Sequence, residues 1–134
     1  MKKYFLLLGI LSLFLLSCGE KEEEEIVGEL DFTVVEEERL PEELLAMIDE
    51  KKATPFKFTF CDSGYLYICI GYGEYEQGGY SIIVNTLDEL RNGILIDTEL
   101  LGPKPDKTKS EKKVKSYPYI VVKTQDKDLP VIFD

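Results

Sequence analysis

Apolar residues recur with three different periods along this 134-residue chain, and each period predicts a different element. Residues 4–16 form an apolar run of 13 residues behind Lys2 and Lys3. That is shorter than the roughly 20 residues needed to cross a bilayer core, and a basic start followed by a short apolar stretch is the pattern of a secretion signal. Further on, Leu44, Met47 and Ile48 fall at i, i+3 and i+4, the stripe of an amphipathic helix. Pro41 opens that segment, Glu42 and Glu43 occupy its first turn, and Lys51 and Lys52 close it, which suits a helix and its dipole over 41–52.

Period two dominates elsewhere. Leu30, Phe32 and Val34 alternate with polar residues and predict a strand over 30–34. Beyond Thr54 the chain reads as strands and turns. Residues 55–61 and 65–72 form a hairpin around Asp62-Ser63-Gly64. Core burial argues its register: a three-residue loop pairs Phe60 with Leu66, Phe58 with Ile68 and Phe56 with Ile70, placing all six on one face. Gly64 then takes the left-handed position of the loop. Residues 80–86 make a further strand, Asn92-Gly93 a turn, and 94–101 its partner, with the register across 87–91 left open. Residues 117–123 and 129–133 complete the set, with Pro118 and Pro130 at strand starts. About seven short strands and one helix predict a mainly β (α+β) fold, an antiparallel sheet curled into a small sandwich or open barrel.

Charge divides the chain. The net charge is −10, yet residues 51–134 hold 12 acids and 12 bases, while residues 20–50 hold 14 acids and two bases. Such a surface lacks the basic stripe that phosphate backbones require, so no nucleic-acid partner is expected. The run Glu20-Lys-Glu-Glu-Glu-Glu25 has no Asp, Asn or Gly interleaved as in a calcium loop, and reads as a solvated, self-repelling spacer. No His and no Trp are present. The commonest general base and metal ligand is therefore missing, and neither catalytic residues nor a metal or other cofactor is expected. The six lysines within 103–116 make a charged loop that is either simply hydrated or in contact with an anionic partner.

Leu15-Leu16-Ser17-Cys18 resembles the bacterial lipobox. The resemblance implies cleavage before Cys18, lipidation of Cys18, and a lipid anchor on the outer side of a bacterial membrane. It divides the chain into a signal at 1–17, an acidic tether at 18–28 and one β-rich domain at 29–134. Of the remaining cysteines, the hairpin register places Cys69 opposite Lys57, about 13 Å along the strand from Cys61. No disulfide is expected at that separation, and both thiols are expected on the less apolar sheet face.

Residues 71–80 contain four glycines and three tyrosines. Tyrosine on a glycine-rich loop is the composition of a recognition surface; the same glycines also serve a long hairpin turn for geometry alone. Absence of a lysine and of a following helix excludes a phosphate loop. From Gly64 to about Thr124 the chain resembles the C-terminal domain of the PrcB family of protease-complex proteins. The resemblance rests on Tyr65-Leu-Tyr-Ile-Cys-Ile, Gly73-Glu74, Gly78-Gly79-Tyr80-Ser81-Ile82, Gly102-Pro103-Lys104-Pro105 and Tyr117-Pro118-Tyr119. Glu76-Gln77 stands where the family often has Pro-Thr, and Asp106 where it often has Gly. The resemblance implies a non-enzymatic lipoprotein that assembles with and stabilises an exported protease. The expected partner-binding residues are Gly73, Tyr75, Gly78, Gly79, Tyr80, Pro118 and Tyr119. Gly78-Gly79-Tyr80 is also similar to the Thr-Gly-Tyr loop of chagasin-like cysteine-protease inhibitors, without its threonine, which implies an inhibitor as the alternative.

Overall fold

The computed structural model describes residues 25–104 and 114–134. The apolar run, Cys18, the Glu20–Glu24 part of the spacer and most of the lysine-rich segment lie outside the described residues. Among the described residues there are eight strands: β1 (Ile26–Glu29), β2 (Thr33–Val34), β3 (Pro55–Asp62), β4 (Tyr65–Tyr72), β5 (Ser81–Leu90), β6 (Gly93–Leu101), β7 (Tyr119–Gln125) and β8 (Val131–Phe133). A 3-10 turn (Glu37–Arg39) and one helix, α1 (Glu42–Lys51), lie between β2 and β3. The strands form two four-stranded sheets, β1-β5-β6-β8 and β2-β7-β4-β3. All pairings are antiparallel except β6 with β8. The fold is a β-sandwich with one helix, and no closed barrel forms among the described residues.

Three layers follow from two cores. Between the sheets lie Leu66, Ile68, Ile70, Leu87, Ile94, Ile96, Ile120 and Val122. On the outer face of the β2-β7-β4-β3 sheet, Leu44 and Ile48 of α1 cover Tyr67, Cys69 and Val121, with Phe56, Phe58 and Phe60 packed around them. Strand β4 is therefore buried on both faces, which is why it reads as an almost unbroken apolar run. The helix is one residue shorter at each end than the expected 41–52, with Pro41 as N-cap and Lys52 as C-cap, and its expected stripe residues Leu44 and Ile48 are fully buried.

Burial on both faces overturns the expected hairpin register. Asp62 pairs with Tyr65, so the turn is two residues long, with φ of 52° at Ser63 and 83° at Gly64. Positive φ at both central residues is the type I′ turn, whose twist matches the strands. Phe60 lies opposite Tyr67, Phe58 opposite Cys69 and Phe56 opposite Gly71, so the three phenylalanines face the helix rather than the inter-sheet core. A two-residue loop costs no burial here, because the second face has its own cover. The cysteines change place accordingly. Cys61 sits opposite Leu66 on the other face from Cys69; it is exposed, whereas Cys69 is buried, and both are free thiols.

Other boundaries also move. Ile26, Val27 and Gly28, within the expected tether, belong to β1 and pair with the end of β5 across a bulge. The single strand expected over 30–34 is instead a crossing from one sheet to the other. Leu30 donates its N–H to Leu87 in one sheet, Thr33 pairs with Lys123 in the other, and Thr124 Oγ1 donates to the Asp31 carbonyl at 2.8 Å between them. Strand β5 continues through 87–90, with a bulge at Asn85, to a two-residue turn at Arg91 and Asn92. The prolines precede strands as expected, and their carbonyls are used: Pro118 accepts from Tyr72 N–H and Pro130 from Ile94 N–H, both at 2.9 Å.

Candidate interaction loop

Strand β4 lies in one sheet and β5 in the other, so residues 73–80 form the crossover between them at one end of the sandwich. The two sheets are tied at the base of this crossover by Tyr72 and Thr98, whose hydroxyls lie 2.6 Å apart. The loop is fastened along its length. Tyr75 and Ser116 exchange backbone hydrogen bonds of 2.8 and 2.9 Å. Ser116 Oγ donates to the Gln77 carbonyl at 2.6 Å, and Tyr117 OH donates to Glu74 Oε1 at 3.2 Å. Lys115 Nζ lies 3.4 Å from Glu74 Oε2, and this contact, with the nearby charge of Glu76, raises the Lys115 pKa.

Within that frame Tyr75 and Tyr80 pack ring against ring, with centroids 4.5 Å apart and planes tilted by 43°. Both are half-buried, so Tyr75 is part of the loop's own packing rather than a free tip. Gly79 has φ of +90°, and a Cβ there would lie 2.9 Å from Pro103 Cβ, so both backbone conformation and close approach require glycine. Gly78 is exposed and has open space around its Cα. Glu76, Gln77, Gly78 and Gly79 form the exposed tip, above a half-buried tyrosine pair.

Six of the seven expected binding residues gather here: Gly73, Tyr75, Gly78, Gly79 and Tyr80 in the loop, and Pro118, whose carbonyl bonds to Tyr72. Tyr119 lies apart. It pairs with Gly71 on β4 and packs against the helix-side core. Burial, with the charges of Glu37 and Asp49 nearby, pushes its phenol pKa up to about 12. Sequence reasoning missed Glu74, Pro103, Ser116 and Tyr117 as the loop's supports. Pro103 and Tyr117 were visible in the Gly-Pro-Lys-Pro and Tyr-Pro-Tyr motifs, but nothing in the sequence marks Ser116.

The loop offers shape and hydrogen-bonding groups, and both described cysteines lie outside it. Burial, followed by the charge of Asp126, raises the Cys61 pKa, and burial alone pushes Cys69 up to about 12. Both thiols are thus held protonated, the unreactive form. A separate groove of about 580 Å³ lies beside β2, where Lys123 Nζ sits 4.2 Å above the Tyr65 ring; it shares no lining residue with the loop.

Residues 66–125 match the family model of the PrcB C-terminal domain. Neither curated proteins nor solved structures gave a match. The PrcB match covers β4 through β7 and contains the whole loop and all its supports. In the fold it occupies the two central strands of each sheet, β5-β6 and β7-β4. All four edge strands, β1, β2, β3 and β8, lie outside it, as does α1.

Proposed function

We propose that this chain is a non-enzymatic accessory subunit, anchored through lipid on Cys18 to the outer side of a bacterial membrane, whose loop 73–80 docks an exported protease. The observation that carries this reading is the coincidence of the PrcB C-terminal match with a tied-down Gly/Tyr loop that the match encloses. A loop held by backbone and side-chain bonds to Ser116 and Tyr117 has little conformational entropy left to lose on binding, which favours affinity. Its exposed tip can be altered without touching the Tyr75–Tyr80 packing.

Pull-down from the native envelope, using the full chain and a Glu76→Ala/Gln77→Arg variant, tests the reading. Wild type should recover an exported protease; the variant should recover much less. Loss of one interface anchor costs about 2 kcal/mol or more, or roughly 30-fold in affinity. Equal recovery by both would remove the tip from the docking surface. Assaying the recovered protease for activity separates an accessory subunit, which leaves it active, from the inhibitor alternative.

A further inference from the structure

We propose that β3 is the docking edge for a second copy of this chain, paired antiparallel about Thr59, so that two β2-β7-β4-β3 sheets join into one eight-stranded sheet. Strand β3 is eight residues long and pairs with β4 through Asp62 to Pro55 without a bulge. Its other edge pairs with no strand among the described residues. Natural proteins protect such edges with interior prolines, bulges, several charges or very short strands, as β2 and β8 are short here. None of these devices interrupts β3: its one proline is the first residue, and its charges are Lys57 and Asp62 alone.

Symmetry and charge select the register. A two-fold axis normal to the sheet keeps every side chain on its own face, so only residues of like parity can face each other. Centring on Phe58 would place Pro55, which has no N–H, inside the ladder and set the two Lys57 side chains about 7 Å apart on one face. Centring on Thr59 leaves Pro55 outside. It sets Phe58 of each copy opposite Phe60 of the other, continuing the aromatic row of the helix face. Lys57 then faces Cys61 of the second copy, the two lysines stand about 13 Å apart, and the two Asp62 side chains about 20 Å apart. Like charges are thus kept apart. The long-range repulsion between chains of net charge −10 is screened beyond about 8 Å at physiological salt. The paired residues, 56–62, share none with loop 73–80.

Disulfide trapping of the full chain in the envelope of expressing cells tests the proposal. Thr59→Cys and Lys57→Cys are each placed on a Cys61→Ser background and oxidised gently. Thr59 and Lys57 are both exposed, so neither change disturbs a core, and matched melting temperatures check this. Thr59→Cys should give a disulfide-linked dimer, at least about fivefold more than Lys57→Cys, whose thiols would lie beyond bridging distance. Equal trapping at both positions, or more at Lys57→Cys, overturns the register and the proposal. A Thr59→Cys adduct with another protein overturns the second copy as occupant. Sedimentation of the detergent-solubilised chain as a monomer at tens of micromolar would also overturn it.

Discussion

Exchanging each cysteine for serine distinguishes the two faces of the β3–β4 hairpin. Cys69 has no exposed surface and sits among Leu44, Ile48, Tyr67 and Val121, while Cys61 is exposed at the outer edge. Cys69→Ser preserves volume but puts a hydroxyl where the neighbours are apolar and where both adjacent strands already pair in the ladder. An unsatisfied buried hydroxyl costs about 1–3 kcal/mol. At about 4–8 °C per kcal/mol for a domain near 100 residues, Cys69→Ser should lower the melting temperature by roughly 5–20 °C. Cys61→Ser should stay within about 0.5 kcal/mol of wild type, as exposed substitutions do. Thermal unfolding followed by circular dichroism measures both, and labelling of the native protein gives an independent check. Cys61 should react with a thiol reagent in the folded state, though slowly near neutral pH because its pKa is raised, and Cys69 only on unfolding. Equal losses for the two variants, or a native Cys69 that labels as fast as Cys61, would refute the two-residue turn and the helix-covered face.

Three further outcomes are expected. Gly79→Ala should destabilise by about 1–3 kcal/mol, because it forces a positive φ and crowds Pro103, whereas Gly78→Ala should melt like wild type. Chemical denaturation at constant ionic strength should show stability flat to about pH 9 and then falling towards pH 12. The folded state holds Cys69 and Tyr119 protonated up to about 12, above their ordinary values of 9.0 and 10.0; the unfolded chain ionises them first, so stability present below those values is lost as pH rises. Tyr119→Phe should flatten part of that fall. Cys18→Ala should shift the protein from the detergent phase to the aqueous phase on partitioning, because the proposed lipidation site is removed.

The parts of the fold that local chemistry dictates were legible. The α1 stripe, its Pro41 start, the left-handed Gly64 of the first hairpin turn, and the mainly antiparallel sandwich follow from periodicity and turn residues, while the turn expected at Asn92-Gly93 falls one residue earlier, at Arg91 and Asn92. What escaped has physical causes. Strand β4 is apolar at nearly every position, so alternation could not say which face met which core, and one assumed core gave the wrong slip. The bulge at Asn85 breaks the alternation of β5 midway, hiding its second half. Strand β1 begins directly after a run of glutamates, and the parallel pairing of β8 with β6 spans a long sequence separation that leaves no local trace. The loop shows the same division. Its glycines and tyrosines stand out by composition, but Tyr75 pairs with Ser116 some 40 residues away, which no local pattern encodes.

Site-specific photocrosslinking tests the central claim most directly. A photoreactive amino acid replaces Gln77 at the exposed loop tip or, as a control, Asn85 on the outer surface of the β1-β5-β6-β8 sheet. After irradiation of intact envelope, the Gln77 position should yield an adduct that mass spectrometry identifies as an exported protease, and the Asn85 position should not. Adducts at Gln77 containing no protease, or the same protease adduct in equal yield from Asn85, would contradict the account.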